Sequence, residues 1–235
     1  MAADYLLGKG FRNFAYCGYD QIWWSRQRCM SFFARTRQNN CSTAVYQCPY
    51  SREQMSWQAE QRYLTPWLKS LEKPVGLMAC NDDRGQQVLE ACKLAEVNVP
   101  DEVAVLGVDN DWLVCELSDP PLSSIVLNAE ATGYQAAKIL DKLMKGLTVE
   151  NPNIIVEPTH VITRQSTDIL AIKDRDVATA VRYIQENCHR IIQVDEVVDA
   201  AGIARSRLYQ KFQETLGYSV LTAICLLYTS DAADE

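Results

Sequence analysis

Five short apolar runs punctuate the chain up to about residue 130, with polar or helix-patterned stretches between them. They are Phe14-Ala15-Tyr16-Cys17-Gly18, Thr43-Ala44-Val45-Tyr46, Val75-Gly76-Leu77-Met78-Ala79-Cys80, Val103-Ala104-Val105-Leu106-Gly107-Val108 and Ser124-Ile125-Val126-Leu127. Short runs that stay apolar without alternating mark strands buried on both faces. Helical stretches are expected at about 24–39, 53–71, 82–95 and 129–145. In the last of these, Ala136, Ala137, Leu140, Leu143 and Met144 recur three and four apart, with Asn128 as N-cap and Lys145-Gly146 as stop. Such alternation predicts an α/β fold: a parallel sheet with helices on each side.

The alternation stops near residue 164. Residues 164–174 read as a linker. Beyond it, Val177, Val181 and Ile184 mark one helix, Val194–Ala201 a second, and Leu208, Phe212 and Leu216, spaced by four, a third. The organisation expected is a first domain over 1–163, the linker, and an all-α domain over 175–220. Residues 221–235 fit no preceding pattern and are set aside as an artefactual tail. The first segment, Tyr5–Gly10, reads as the end of a helix whose earlier partners are missing, so truncation is expected at both ends.

Several function classes lack the residues they need. The nine cysteines are odd in number and scattered, with no C-x-x-C pair, and there are only two histidines. That supplies neither a disulfide framework nor a zinc site, and suits buried thiols in a reducing cytoplasm. No G-x-S-x-G or Walker loop occurs, and Phe11-Arg12-Asn13 after Gly8-Lys9-Gly10 breaks the dinucleotide fingerprint. No catalytic residues, cofactor or metal are therefore expected. There is no apolar run long enough to span a membrane and no signal peptide pattern. A net charge of −7 opposes binding of nucleic acid by the whole surface but leaves room for a small reading element.

Candidate ligand residues follow from topology. In open α/β sheets, ligands bind at the carboxyl ends of the strands. The runs ending at Cys80 and Val108 are followed by Asn81-Asp82 and Asp109-Asn110, so Asn81 and Asp109 are expected to meet in one cleft. An amide and a carboxylate there suit a polyhydroxyl ligand, because both accept hydrogen bonds from hydroxyls. The competing reading is local: Asn81 or Asp82 caps the next helix, and Asp109 is a turn residue. Trp23 and Trp24, in the loop before a helix, offer aromatic faces to a sugar ring or to packing.

In the all-α part, Gly202 can supply the left-handed backbone of a tight turn between helices. Segment 203–212 carries Arg205, Arg207 and Lys211 and no anion, whereas seven Lys/Arg balance seven Asp/Glu across 173–220. A cationic bias confined to one helix is the pattern of a recognition helix, or of a merely solvated face.

The first of these regions resembles the LacI/GalR-type sugar-sensing domain over about 1–163. The matching pieces are the strand ending in Asn81-Asp82, the Val99-Pro100-Asp101 turn, the strand ending Gly107-Val108-Asp109, Pro120-Pro121-Leu122-Ser123-Ser124-Ile125, and Gly133-Tyr134-Gln135-Ala136-Ala137. The resemblance implies periplasmic-binding-protein-like parallel sheets with flanking helices. It implies ligand contacts from Asn81, Asp109 and Arg28, with Arg28 reaching in from the opposing lobe. Leu127 stands where that family often has a polar contact.

The helix, Gly turn, helix order, with Leu208-x-x-x-Phe212 and Leu216-Gly217-x-Ser219, resembles the first half of an AraC-type helix-turn-helix. By that pattern Arg205, Ser206, Tyr209 and Gln210 lie toward bases, and Arg207 and Lys211 toward phosphate. Ala204 departs from it, since a capping serine is usual there.

The sensor–reader pairing is similar to the xylose-responsive activators of bacteria. It implies D-xylose or a related small sugar as ligand, operator DNA and RNA polymerase as partners, a homodimer, no membrane association and a cytoplasmic transcription regulator. A transport-type sugar-binding protein is the alternative; it would share the cleft but need export and lack the helices after 175.

Overall fold

The computed structural model describes residues 1–47, 56–149, 153–169, 172, 174–187 and 190–231. Its first part runs α1 (Ala2–Gly8), β1 (Asn13–Cys17), α2 (Trp23–Gln38), β2 (Ser42–Val45), α3 (Trp57–Ser70), β3 (Val75–Ala79), α4 (Asp82–Ala95), β4 (Val103–Val108), α5 (Trp112–Leu117), β5 (Ser123–Ile125), α6 (Ala129–Met144) and β6 (Val161–Ile162). A 3-10 turn (Gln165–Thr167) follows, then α7 (Arg175–Asn187), α8 (Val194–Ala201), α9 (Arg205–Leu216) and α10 (Val220–Asp231).

The strands form one sheet in the order β2-β1-β3-β4-β5-β6, parallel through β5, with β6 antiparallel on the edge. Each apolar run appears as a strand, and the reason is visible in the burial. Val75, Leu77, Ala79, Val103 and Val105 pack against α3, α4 and α5. Their neighbours Met78, Ala104, Leu106 and Val108 pack the other way, with α1 and α2. With both faces covered, no polar residue can alternate into these strands. α5 and β6 were not expected; six and two residues are too short for a periodic signal. The expected start of α3 at residue 53 lies outside the described residues, and the helix itself begins at Trp57, capped by Ser56 Oγ, which accepts the Ala59 amide at 3.3 Å.

α6 departs from expectation. It forms where the spacing predicts, with Asn128 Oδ1 accepting the Ala131 amide at 3.1 Å, yet none of its residues is buried. The chain leaves the sheet after β5 and returns beside the same strand: the Val126 amide donates to His160 O and the Thr159 amide to Val126 O. The described residues between those points, 127–149 and 153–158, lie on an excursion from the sheet, and Tyr134, Leu140, Leu143 and Met144 stand exposed on it.

Two segment boundaries also move. Residues 164–167, expected in the linker, are sewn to the sheet. Ser166 Oγ donates to Val105 O at 2.6 Å and accepts the Ser123 amide at 2.8 Å, and Ser166 and Thr167 are fully buried. At the other end, the tail set aside from residue 221 begins inside α10, whose Ala223 and Ile224 are buried in the helical core. Residues 232–235 lie outside the described residues.

That core is separate from those of the sheet. Val177, Ala180, Val181 and Ile184 of α7, Val197 of α8, Leu208, Phe212 and Leu216 of α9, and Val220 close on one another. Gly202, at φ +67°, makes the turn between α8 and α9, a conformation that costs a residue with Cβ about 1 kcal/mol or more. Ala204 heads α9 without a side-chain cap. Among the described residues no helix is long and apolar enough to cross a membrane, and no cluster of His, Cys, Asp or Glu is placed to hold a metal ion.

Candidate ligand-binding site and reader helix

The carboxyl ends of β1, β3, β4 and β5 converge on one edge of the sheet. Arg28 crosses them from the second turn of α2. Its Nη1 donates to the carbonyl of Cys80, the residue after β3, and its Nη2 pairs with Asp109 Oδ1 at 3.3 Å, the residue after β4. Arg28 therefore belongs to the same sheet unit as Asp109. The expectation that it reaches in from an opposing lobe is corrected: the helix after β1 starts at the same edge where β3 and β4 end, so topology alone brings them together.

Asp109 holds an uncommon backbone, φ +109°, with Asn110 next to it at φ +53°. Residues in such regions persist only where their surroundings hold them, and they cluster at functional sites. Burial pushes the Asp109 carboxyl above its ordinary value, the Arg28 guanidinium opposes this, and Asp83 nearby adds to the rise.

Asn81 stands at the end of β3 as expected, and its side chain does what the local reading proposed. Its Oδ1 accepts the Arg84 amide at 3.1 Å and caps α4. Its Nδ2 lies 3.5 Å from Asp83 Oδ2 at the surface. Trp23 and Trp24 are not in a loop; they open α2, because its N-terminal turn starts one residue earlier than predicted. Trp24 lies under the Arg28 guanidinium, 5.0 Å from ring centroid to Cζ, while Trp23 is 68% exposed.

A cavity of about 360 Å³ opens beside Arg28, walled by Met78, Val108, Ile125 and Leu127 from the strand ends and by the first residues of α1. Leu127, at the position of the missing polar contact, contributes apolar wall. The cavity lining thus offers the Arg28 cation over an apolar floor, and Arg28 itself carries Asp109 and the Trp24 ring beside it, a combination that fixes small polar ligands by a few placed groups.

Asp82 was the residue that sequence reasoning undervalued. Only 2% exposed, it accepts Ser124 Oγ–H at 2.6 Å and the Asp111 amide at 2.7 Å, so it ties the ends of β3, β4 and β5 together. Burial raises its carboxyl, and the Ser124 and Asp111 hydrogen bonds hold it down. Gly107 makes room for it, since a Cβ there would sit 2.2 Å from Asp82 Oδ1. Burial pushes the Cys17 thiol up to about 11 and the Cys80 thiol up to about 12, away from the thiolate that reacts.

On α9, Leu208, Phe212 and Leu216 face the helical core as expected. Arg205, Ser206, Arg207 and Gln210 are exposed, and Tyr209 is half-buried. Arg205 leans on Asp195 of α8 at 3.1 Å, and Gln210 donates to Glu214 at 2.8 Å. Lys211 is the correction. Its ammonium is held by Asp174 at 2.8 Å and Asp176 at 2.6 Å, so the cation expected to meet phosphate is already neutralised within the chain.

An open parallel sheet whose strand ends carry polar groups beside a cavity defines a ligand-binding α/β domain. A family model described as a periplasmic binding protein-like domain matches residues 3–167, and the chain belongs to that family. It is 35% identical over 224 residues to the Xylose operon regulatory protein of Haemophilus influenzae, covering 94% of this chain and 57% of that protein. It is 34% identical over 219 residues to the protein of the same name from Escherichia coli K12, covering 92% and 56%. Among solved structures, that of the xylose-binding transcription activator xylR superposes with a TM-score of 0.67 at 33% identity, over 96% of this chain and 60% of that one. The chain thus spans somewhat over half the length of these relatives.

Proposed function

We propose that this chain is the ligand-sensing domain and first reader element of a cytoplasmic, sugar-responsive transcription regulator. Its inducer is D-xylose or a closely related small sugar, and it activates sugar-catabolic genes by binding operator DNA as a homodimer and engaging RNA polymerase. The observation that carries the reading is the bridge made by Arg28 between the ends of β3 and β4 at the mouth of the cavity. A polyol entering there would meet Arg28 as donor, Asp109 as acceptor and the Trp24 ring beside Arg28; in this reading Asn81, at the end of β3, and Trp23 are further contacts. The names of the xylose regulators and of the xylR structure support the choice of sugar.

The domain assignment that goes with this reading is a sensor over 1–167, a connector to residue 174, and the first half of an AraC-type helix-turn-helix from 175 to 220. Arg205, Ser206, Tyr209 and Gln210 face bases and Arg207 faces phosphate. Lys211 drops out of the DNA-contacting set. No residue is assigned a catalytic, cofactor or metal role. The helical unit after Asp174 is what separates this reading from a transport-type binding protein.

Calorimetric titration of the chain with a panel of pentoses and hexoses tests the sensor. Saturable binding of D-xylose above the hexoses is expected, and no heat with any sugar would overturn it. For the reader, a Gln210→Ala change is expected to alter preference at one base pair by about 1–3 kcal/mol, measured in the full-length regulator on operator and scrambled DNA.

A further inference from the structure

The helical unit touches the sheet unit at a specific place. Tyr218 OH donates to the carbonyl of Leu7, in the last turn of α1, at 3.3 Å. The Arg12 guanidinium, from the residue before β1, lies over the Tyr218 ring at 5.1 Å, and Arg12 Nη2 is buried there without a hydrogen-bond partner. α1 and α10 pack against each other beside this contact.

Both sides of the contact are anchored in their own unit. On the sheet side, α1 is held by Leu6 and Leu7, which are 0% and 1% exposed. Tyr5 OH adds bonds to Thr163 at 2.8 Å and Thr167 at 2.7 Å. Met1, the N-cap of α1, and the first helical residues Ala2 and Ala3 line the cavity beside Arg28. A single seven-residue helix, about 10 Å long at 1.5 Å per residue, therefore reaches from the cavity to Tyr218. On the helical side, Tyr218 comes immediately after Gly217, the left-handed stop of α9 at φ +72°, so the ring sits next to the end of α9. The middle of α9 is held too. Lys211 grips Asp174, which itself caps α7 through the Asp176 and Val177 amides at 3.0 and 3.2 Å. That is the point where the chain enters from the sheet.

We propose that Tyr218, seated on Leu7 and under Arg12, is a positioning residue that docks α9 onto α1 and so couples occupancy of the cavity to the orientation of the reader helix. Lys211 supplies the second point of attachment: it fixes α9 relative to the connector and does not contact DNA. The proposal rests on the sensor-and-reader reading above. An element with one end at the ligand site and the other against the reader gives the two sites a contiguous packed connection, and coupling follows if ligand shifts that element between two positions.

The chain carries its own probes for the test. All five tryptophans, Trp23, Trp24, Trp57, Trp67 and Trp112, lie in the sheet unit. Tryptophan fluorescence therefore follows the melting of that unit alone, while far-ultraviolet circular dichroism follows both. In the wild-type chain the two curves are expected to coincide, and D-xylose to raise both together. Arg12→Ala and Tyr218→Ala are each expected to split off a dichroism component melting more than about 5 °C below the tryptophan transition and unmoved by the sugar. The double variant should be no worse than Tyr218→Ala, as for residues sharing one contact. Tyr218→Phe, which loses only the hydroxyl, should give a smaller split. Arg12 is the discriminating site because it lies on the sheet side: a Tyr218 that merely packs the helical core would leave Arg12→Ala without effect on that component. Separate transitions in the wild type, or an unchanged dichroism curve in Arg12→Ala, would overturn the proposal. Coincident wild-type curves that D-xylose does not move, with the Arg12→Ala split present, would support the docking and sink the sugar reading instead.

Discussion

Two arginines of the sheet unit each meet a carboxylate, in different surroundings. Arg84, in the first turn of α4, is 0% exposed. It holds both oxygens of Glu60, at 3.1 and 2.5 Å, and Gln87 at 2.8 Å, between the rings of Tyr19 and Tyr46 at 5.1 and 5.4 Å. Arg28 makes one 3.3 Å contact with Asp109, the two side chains being 25% and 43% exposed. The buried pair is closed, engaged through both terminal nitrogens of Arg84 with only Nε left unpartnered, and it ties α3 and α4 to two loops. The cavity-side pair is open, loosely made and set on strained backbone, with binding capacity left over. A charged group shut away from solvent with both ends of its carboxylate partner in hand is architecture; one held in place but open to solvent is free to exchange its partner for a ligand.

The largest test of this contrast removes each arginine in turn. Arg84→Ala leaves Glu60 as a nearly buried, unpaired charge and is expected to cost about 3–5 kcal/mol. Arg28→Ala breaks a part-exposed pair and is expected to cost less than about 1 kcal/mol. Urea unfolding followed by tryptophan fluorescence measures both. Equal losses would mean that the cavity-side pair is structural after all.

Next in size is the effect on binding. Asp109→Ala removes a charged acceptor from the site and is expected to weaken D-xylose binding by about 1.5–3 kcal/mol, read by calorimetry. Glu60→Ala lies on the far pair; whatever it does to stability, the affinity of the folded fraction should stay near that of wild type. A loss in the Glu60 variant as large as in Asp109→Ala would erase the distinction between the pairs.

Much of this fold was readable from residue order, and the failures have physical causes. Strands buried on both faces have nothing to alternate, so β3 and β4 announced themselves as unbroken apolar runs. Asn81 and Asp109 could be placed at the ends of β3 and β4 because parallel topology dictates where strand ends go, but that placement alone does not separate a ligand contact from the helix cap that Asn81 makes. The Arg84–Glu60 pair was invisible: the partners are 24 residues apart, and Arg84 reads as an ordinary residue of a helix's first turn. Lys211 misled for a related reason, since a charge bias counted along one helix takes no account of Asp174 and Asp176 folding back onto it. In α6 the spacing correctly gave an apolar stripe, but periodicity says which face is apolar and not whether anything covers it.

Acid should pull the two properties of the cavity-side pair apart. Burial raises the Asp109 carboxyl above its ordinary value despite Arg28, so the fold favours the protonated form. The resulting stability is present below the unfolded value and lost as pH rises through the folded one. Sugar binding needs the ionised acceptor and changes in the opposite sense, falling as pH drops through that same raised value. Lowering the pH from neutral should therefore weaken D-xylose binding before it unfolds the sheet unit, and Asp109→Asn should abolish that early loss. Titrations at a series of pH values with matched melting curves check this; affinity that stays flat until the protein unfolds would remove Asp109 from the acceptor role.

The smallest expected effect is a gain. Asp109 adopts φ +109°, a conformation that glycine takes without steric cost and that costs a residue with Cβ on the order of 1 kcal/mol or more. Asp109→Gly relieves that strain, and the raised carboxyl it removes adds little to the balance because a side chain 43% exposed is screened by solvent. Against this gain stand the loss of a weak, part-exposed ion pair and the greater freedom of glycine in the unfolded chain, which costs about 0.4–1 kcal/mol. The balance is expected to favour the variant by roughly 0.5 kcal/mol, a small rise in the urea midpoint, while D-xylose binding falls as far as in Asp109→Ala. No such gain is available at Glu60, whose removal strands Arg84 in the core. A variant that is more stable and less able to bind would mark Asp109 as a residue kept for the ligand at the expense of the fold. A drop in stability like that expected for Arg84→Ala would instead place Asp109 among the structural carboxylates.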